Sequence, residues 1–165
     1  MNVLIENEHH YQFDFDYIKV ANDVIAGVLT MENCPYEAEV NIALVDDETI
    51  CAINEEFRSI NKPTDVLSFP MLEFTKPSNY DILSGDGVSY FHPDSGELML
   101  GDIVISIPTT IRQAQEYEHG LKREYAFLIA HSMLHLLGYD HLRAQDAKEM
   151  ETKQEKALEQ LKITR

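Results

Sequence analysis

Apolar and polar positions recur along the chain at two periods, and the switches between them mark out the elements. Phe15 to Met31 carries Tyr17, Ile18, Val20, Ala21, Val24, Ile25 and Val28 at helical spacing, which predicts an amphipathic helix. Glu37 to Val45 changes to a period of two, with Ala38, Val40, Ile42 and Leu44 on one side, and predicts a strand. Asp46 or Asp47 then caps a helix whose apolar stripe is Ile50, Ile53 and Phe57. Asp65 to Phe69 is a short strand that Pro70 stops. Met71 to Gly96 holds Pro77, Gly85, Gly87, Pro93 and Gly96 and sustains no period. It reads as a loop or excursion hairpin, long enough for a functional lid. Leu98 to Ile107 is a buried strand, and Pro108 opens a helix to about His119, where Gly120 stops it. Leu121 to Leu137 is apolar around most of its circumference, as a buried helix is, and Gly138 ends it. A charged helix from about Leu142 to Leu161 closes the pattern. Strands and helices alternate first and helices dominate the end. The expected fold is α+β, a single domain over residues 1–165 with a mixed β-sheet packed by helices.

Composition narrows the setting. The chain has 165 residues, 44% hydrophobic and 25% charged, the balance of an ordinary soluble domain. No apolar run approaches the ~20 residues that span a bilayer. The start, MNVLIENEHHYQ, has neither a basic region nor a long apolar one, so no signal peptide is expected and the location reads as cytoplasmic, without a membrane partner. Cys34 and Cys51 follow no metal spacing and read as reduced, partly buried thiols. The formal net charge is -16 and the pI about 4.6. A self-sufficient nucleic-acid binder usually has a domain pI above ~9. If this chain acts on RNA, it needs a local basic patch, a metal charge, or a partner that delivers the substrate.

The chemistry is concentrated in HSMLHLLGYDH, from His131 to His141. His131 and His135 are four apart on a helix, so their rings leave one face at nearly the same azimuth. Two such imidazoles reach one ion at ~2.0–2.1 Å. Gly138 permits the turn that brings His141 back as a third ligand. Three protein ligands leave a position open, as in catalytic zinc sites. Asp140 and Asp146 are the nearby carboxylates that could orient the rings. The spacing matches the zinc motif of metzincin proteases, but their general-base Glu is replaced by Ser132, and Met150 falls in a charged helical stretch rather than a Met-turn. Metal-bound water has a pKa of about 7, so the metal alone can generate hydroxide. His9, His10 and His92 read as surface residues, and His119 as a helix-end residue away from the site. Arg58 and Lys62 read, from the sequence alone, as solvated loop cations, with a phosphate clamp as the alternative.

Three blocks, FRSINKPTDVLSFP, LGDIVIS and HSMLHLLGYDH, resemble the bacterial YbeY family of endoribonucleases, the rRNA maturation factors, over about Val40 to His141. The resemblance implies an α+β fold with a mixed sheet, zinc ligands at His131, His135 and His141, and a functional arginine at Arg58. It also implies a role in maturing the 3′ end of 16S rRNA and in ribosome quality control. The family commonly has Gly where this chain has Ser132, and Met71 to Gly96 looks longer than usual. The reading is therefore a zinc-dependent, single-strand-preferring endoribonuclease with one Zn2+ per chain. Its substrate would be rRNA and its partners the small ribosomal subunit and its proteins, with no DNA. Lys62 is a weaker companion to Arg58. A metallopeptidase is disfavoured by Ser132. A non-catalytic ribosome-assembly factor with a structural metal is disfavoured by the open fourth position.

Overall fold

Two unequal apolar cores form on opposite faces of a four-stranded sheet in the computed structural model, which describes residues 1–83 and 90–163. The strands are β1 (Asn2–Asn7), β2 (Ala38–Val45), β3 (Val66–Pro70) and β4 (Leu98–Ser106), in the order β1-β2-β4-β3. β2 runs parallel to both β1 and β4, while β3 is antiparallel to β4, so the sheet is mixed. The helices are α1 (Tyr17–Met31), α2 (Asp47–Arg58), α3 (Ile107–Glu116), α4 (Leu121–Leu136) and α5 (Ala144–Gln160). This is the α+β architecture that the alternation of periods predicts.

The larger core packs α1, α4 and α5 on one sheet face. Asp16 caps α1 by accepting from the Lys19 backbone N–H at 3.0 Å, and Val20, Ala21, Val24, Ile25 and Val28 are buried. α4 is the central helix: it is apolar on nearly every side and contacts α1, α3, α5, β3 and β4. The register between β2 and β4 shifts at Glu39/Val40, where β4 carries one extra residue. That extra residue lets Leu98 and Leu100 share the larger core with Ile103 and Ile105, which strict alternation would put on the opposite face. Gly101 takes φ +145° at this point, and a Cβ on it would lie 2.2 Å from the Phe69 carbonyl oxygen. The smaller core joins Ile50 of α2 to Val45, Leu67 and Val104.

Some expectations need correction. β1 was not among the expected elements: Val3, Leu4 and Ile5 form an unbroken apolar run, and Leu4 is exposed, so no alternation shows. Ile18 and Phe57, assigned to apolar helix faces, are exposed. Pro70 lies within β3 as its last residue rather than stopping it, which an edge strand tolerates. Ser106 ends β4, and α3 ends at Glu116, earlier than expected. The excursion from Met71 is fastened to the body. Leu72 and Leu83 are buried, and the Ser78 N–H donates to the Leu137 carbonyl at 2.8 Å. Residues 84–89, in the middle of the segment read as a lid, lie outside the described residues.

Candidate metal centre

α4 is laid along β3, the sheet edge that no further described strand covers, so one face of its last turns looks into a cavity beside that strand. His131 and His135 occupy this face. Gly138 follows with φ +98°, a conformation that L side chains rarely adopt. The chain then turns back, and His141 arrives from the loop. One ring nitrogen from each of the three histidines lies within 4.8 Å of the others. The His131 and His135 Nε2 atoms are 3.1 Å apart, and the His131 and His141 rings are stacked with centroids at 5.7 Å. Among the described residues this is the one group of three or more His, Cys, Asp or Glu side chains with that spacing.

The far nitrogens are held from behind. His135 Nδ1 lies 2.9 Å from the Tyr139 carbonyl oxygen, to which it donates when protonated. That fixes the proton on Nδ1 and leaves Nε2 free as a ligand. His131 Nδ1 faces the side-chain amide of Gln154 on α5, with Gln154 Nε2 at 2.5 Å. A half-turn of that amide presents Oε1 instead, the acceptor that an Nδ1–H requires when Nε2 binds a cation. Asp140 and Asp146 do not perform this task. Asp140 is exposed and accepts from the Leu142 N–H at 3.2 Å, and Asp146 lies 4.0 Å from Arg143.

Burial also sets the charge of the rings. It pushes the His131 pKa down to about 4, with His135 and His141 adding to the effect. The His135 pKa is lowered chiefly by burial, against an upward pull from its bond to Tyr139. Both rings are therefore neutral at pH 7, the form that a metal ion binds. Three clustered imidazoles, two of them with backing partners, are a donor set that suits zinc and other borderline divalent ions. The loop carrying His141 is anchored at Tyr139, whose hydroxyl donates to Glu32. Glu32 also accepts from Ser78 Oγ and Lys153 Nζ, each at 2.7 Å. Burial raises the Glu32 pKa, but the bonds from Lys153, Tyr139 and Ser78 outweigh it and hold the carboxyl below its usual range.

The cavity measures about 870 Å³. Its walls bring Arg58 and Phe57 of α2, the whole of β3, and Glu73 and Phe74 into one space with the three histidines. Arg58 is exposed there, and the ion pairs among the described residues engage Lys19, Arg112, Arg123, Arg143 and Lys153 but not Arg58. Lys62 is exposed in the turn after α2 and is not part of the cavity wall. Ser132 is fully buried, with its hydroxyl 3.0 Å from that of Ser68 on β3. His119 pairs with buried Glu124 at 2.5 Å, apart from the three-histidine group. His10 is exposed, whereas His9 and His92 are half-buried rather than on the surface. Gln154 was missed in the sequence, although a trace of it was there. It is the one polar member of the buried stripe Met150, Gln154, Ala157 and Leu158.

Known proteins match over the whole chain. A sequence model of the family described as Endoribonuclease YbeY matches residues 4–162. Proteins named Endoribonuclease YbeY from Agathobacter rectalis and Lachnospira eligens are 54% and 48% identical, each alignment covering 100% of both chains. A solution structure of a Thermotoga maritima protein is 25% identical, with a TM-score of 0.60 over 95% of this chain and 87% of that one. Since the match leaves no sizeable part of the sequence unaccounted for, the chain belongs to the endoribonuclease YbeY family.

Proposed function

We propose that the cavity beside β3 is the reaction centre of a zinc-dependent endoribonuclease that cuts single-stranded RNA, acting on 16S rRNA near its 3′ end and in ribosome quality control. The observation that carries this reading is the meeting of three clustered imidazoles and an exposed arginine, which no ion pair among the described residues engages, in one cavity. His131, His135 and His141 would hold the ion, which when bound supplies positive charge and an acidified water to a phosphodiester. The chain's own residues do the rest. Tyr139 and Gln154 fix ring orientation, and the Arg58 guanidinium can pair with two phosphate oxygens and offset the charge that builds on them in the transition state. The family assignment supports RNA as the substrate. The small ribosomal subunit and its basic proteins would present that RNA, which suits a chain of net charge -16 and a cytoplasmic setting. A peptidase reading gains nothing from the geometry, since Ser132 is tied to Ser68 and is no general base.

The test uses protein whose metal content has been measured, incubated with single-stranded RNA, duplex RNA and an unfolded protein. The expected outcome is one transition-metal ion per chain and cleavage of the single strand alone. His135→Ala should lose both metal and cleavage. Arg58→Ala should keep metal and melting temperature but lose cleavage by about 10²-fold or more, and Arg58→Lys should recover part of it. Cleavage that survives in His135→Ala, or a preparation without stoichiometric metal, rejects the metal centre. Full activity in Arg58→Ala returns that residue to a solvated cation in the last turn of α2, where the structure places it rather than in the loop expected from the sequence.

A further inference from the structure

Phe57 has no part in the chemistry described so far, and its position needs an explanation. It is the third member of the α2 apolar stripe. Ile50 is fully buried in the smaller core and Ile53 packs against that core, yet Phe57 is 63% exposed. In its last turn the stripe leaves the core and enters the wall of the cavity, directly before Arg58. The Phe57 ring meets Phe69 of β3 edge-on, at 5.3 Å and 66°. This contact steadies the ring without stacking on it. Both rings line the cavity that holds the three histidines.

An open aromatic ring beside an exposed guanidinium matches the two chemistries of single-stranded nucleic acid, a π-face on each base and a charge on each phosphate. Stacking also answers the problem posed by a chain of net charge -16, because it gains affinity without a basic surface. Bases inside a duplex are already stacked on each other and offer no free face. We propose that Phe57 is the stacking platform for one unpaired RNA base, next to the phosphate that Arg58 engages, and that this contact is a source of the preference for single strands. The proposal rests on the RNA-cleaving reading above.

The test titrates the metal-loaded full chain with single-stranded RNA oligonucleotides carrying 2-aminopurine at successive positions, since stacking changes the fluorescence of that base. In the wild type one position beside the cleaved bond should respond, and Phe57→Ala should abolish the response. Kd and KM should rise by about tenfold or more, the effect of losing one aromatic–base stack. kcat should change less, and metal content and melting temperature should hold. Phe57→Tyr should keep the response. An abasic site at the responsive position should weaken the wild type as much as Phe57→Ala does, and should weaken Phe57→Ala no further. The abasic arm tests the contact on the unaltered chain, whatever the folding of the variant. Wild-type fluorescence and affinity in Phe57→Ala, or additive losses from the abasic site, would overturn the stacking platform and leave the endoribonuclease reading standing. A wild type that neither binds nor cuts single-stranded RNA overturns both.

Discussion

His131 owes its protonation state to its surroundings. Burial, followed by His135 and His141, pushes its pKa from 6.5 down to about 4. The unfolded chain takes up this proton below pH 6.5, while the folded chain refuses it until about pH 4. The unfolded state therefore binds more protons in that window, and stability falls as pH falls through it. Above pH 6.5 the ring has no such effect, and below about pH 4 the loss is complete. Chelator-treated protein should thus melt at progressively lower temperature from pH 6.5 to 4, and His131→Phe should melt along a shallower curve. The difference between the two curves isolates this ring from the carboxylates. Parallel curves would show that burial does not hold His131 neutral. The three histidines were legible because their spacing is imposed by a helix and one glycine. Gln154 was not, since its contact with His131 joins residues 23 apart in the chain and arises only from the packing of α5 on α4. Arg58 could be flagged only by resemblance, as nothing local distinguishes it from other exposed cations.

Between elements, the turn after α4 governs the geometry of the centre. A Cβ on Gly138 would lie 2.6 Å from Phe74 Cβ, on a backbone already at φ +98°. Gly138→Ala combines a strained backbone with overpacking, together about 2–4 kcal/mol. The strain falls between His135 and His141, so the variant should lose metal affinity as well as stability, as thermal melts and a zinc competition assay will show. A variant that melts lower but binds zinc as tightly as wild type would place the strain outside the ligand set. The elements themselves followed from periodicity where one face was wet and the other dry, as in α1 and β2. The exceptions have local causes. β1 hides in the run Val3, Leu4 and Ile5, and β4 changes face at Gly101 through a register shift that no count of alternate residues reveals. The Ile50, Ile53 and Phe57 stripe predicted α2 correctly but placed Phe57 inside, because spacing cannot tell where a core ends and a cavity begins.

On the scale of the molecule, acidity should shape how RNA is met. Each cation that contacts a phosphate of a single strand adds about -0.7 to the slope of log affinity against log salt. In the roles proposed above, Arg58 and a bound ion together would give a slope of only about -1 to -2. A naked rRNA fragment should accordingly bind with weak salt dependence, and the same sequence displayed on small subunits should bind more tightly. Titrations of both substrates across a salt series will decide this. Steep salt dependence on the naked fragment, with no gain on the subunit, would reveal a basic groove elsewhere on the surface. Gln154 and Lys153 lie side by side on α5, one facing the His131 ring and the other holding the Glu32 that anchors the returning loop. α5 follows all three histidines in the sequence. During translation all three histidines are therefore made before the helix that braces them, and a nascent chain ending before Ala144 has the imidazoles without their support. Bracing of the centre therefore waits for α5, so an enzyme proposed to cut ribosomal RNA leaves the ribosome with its imidazoles first and their support afterwards.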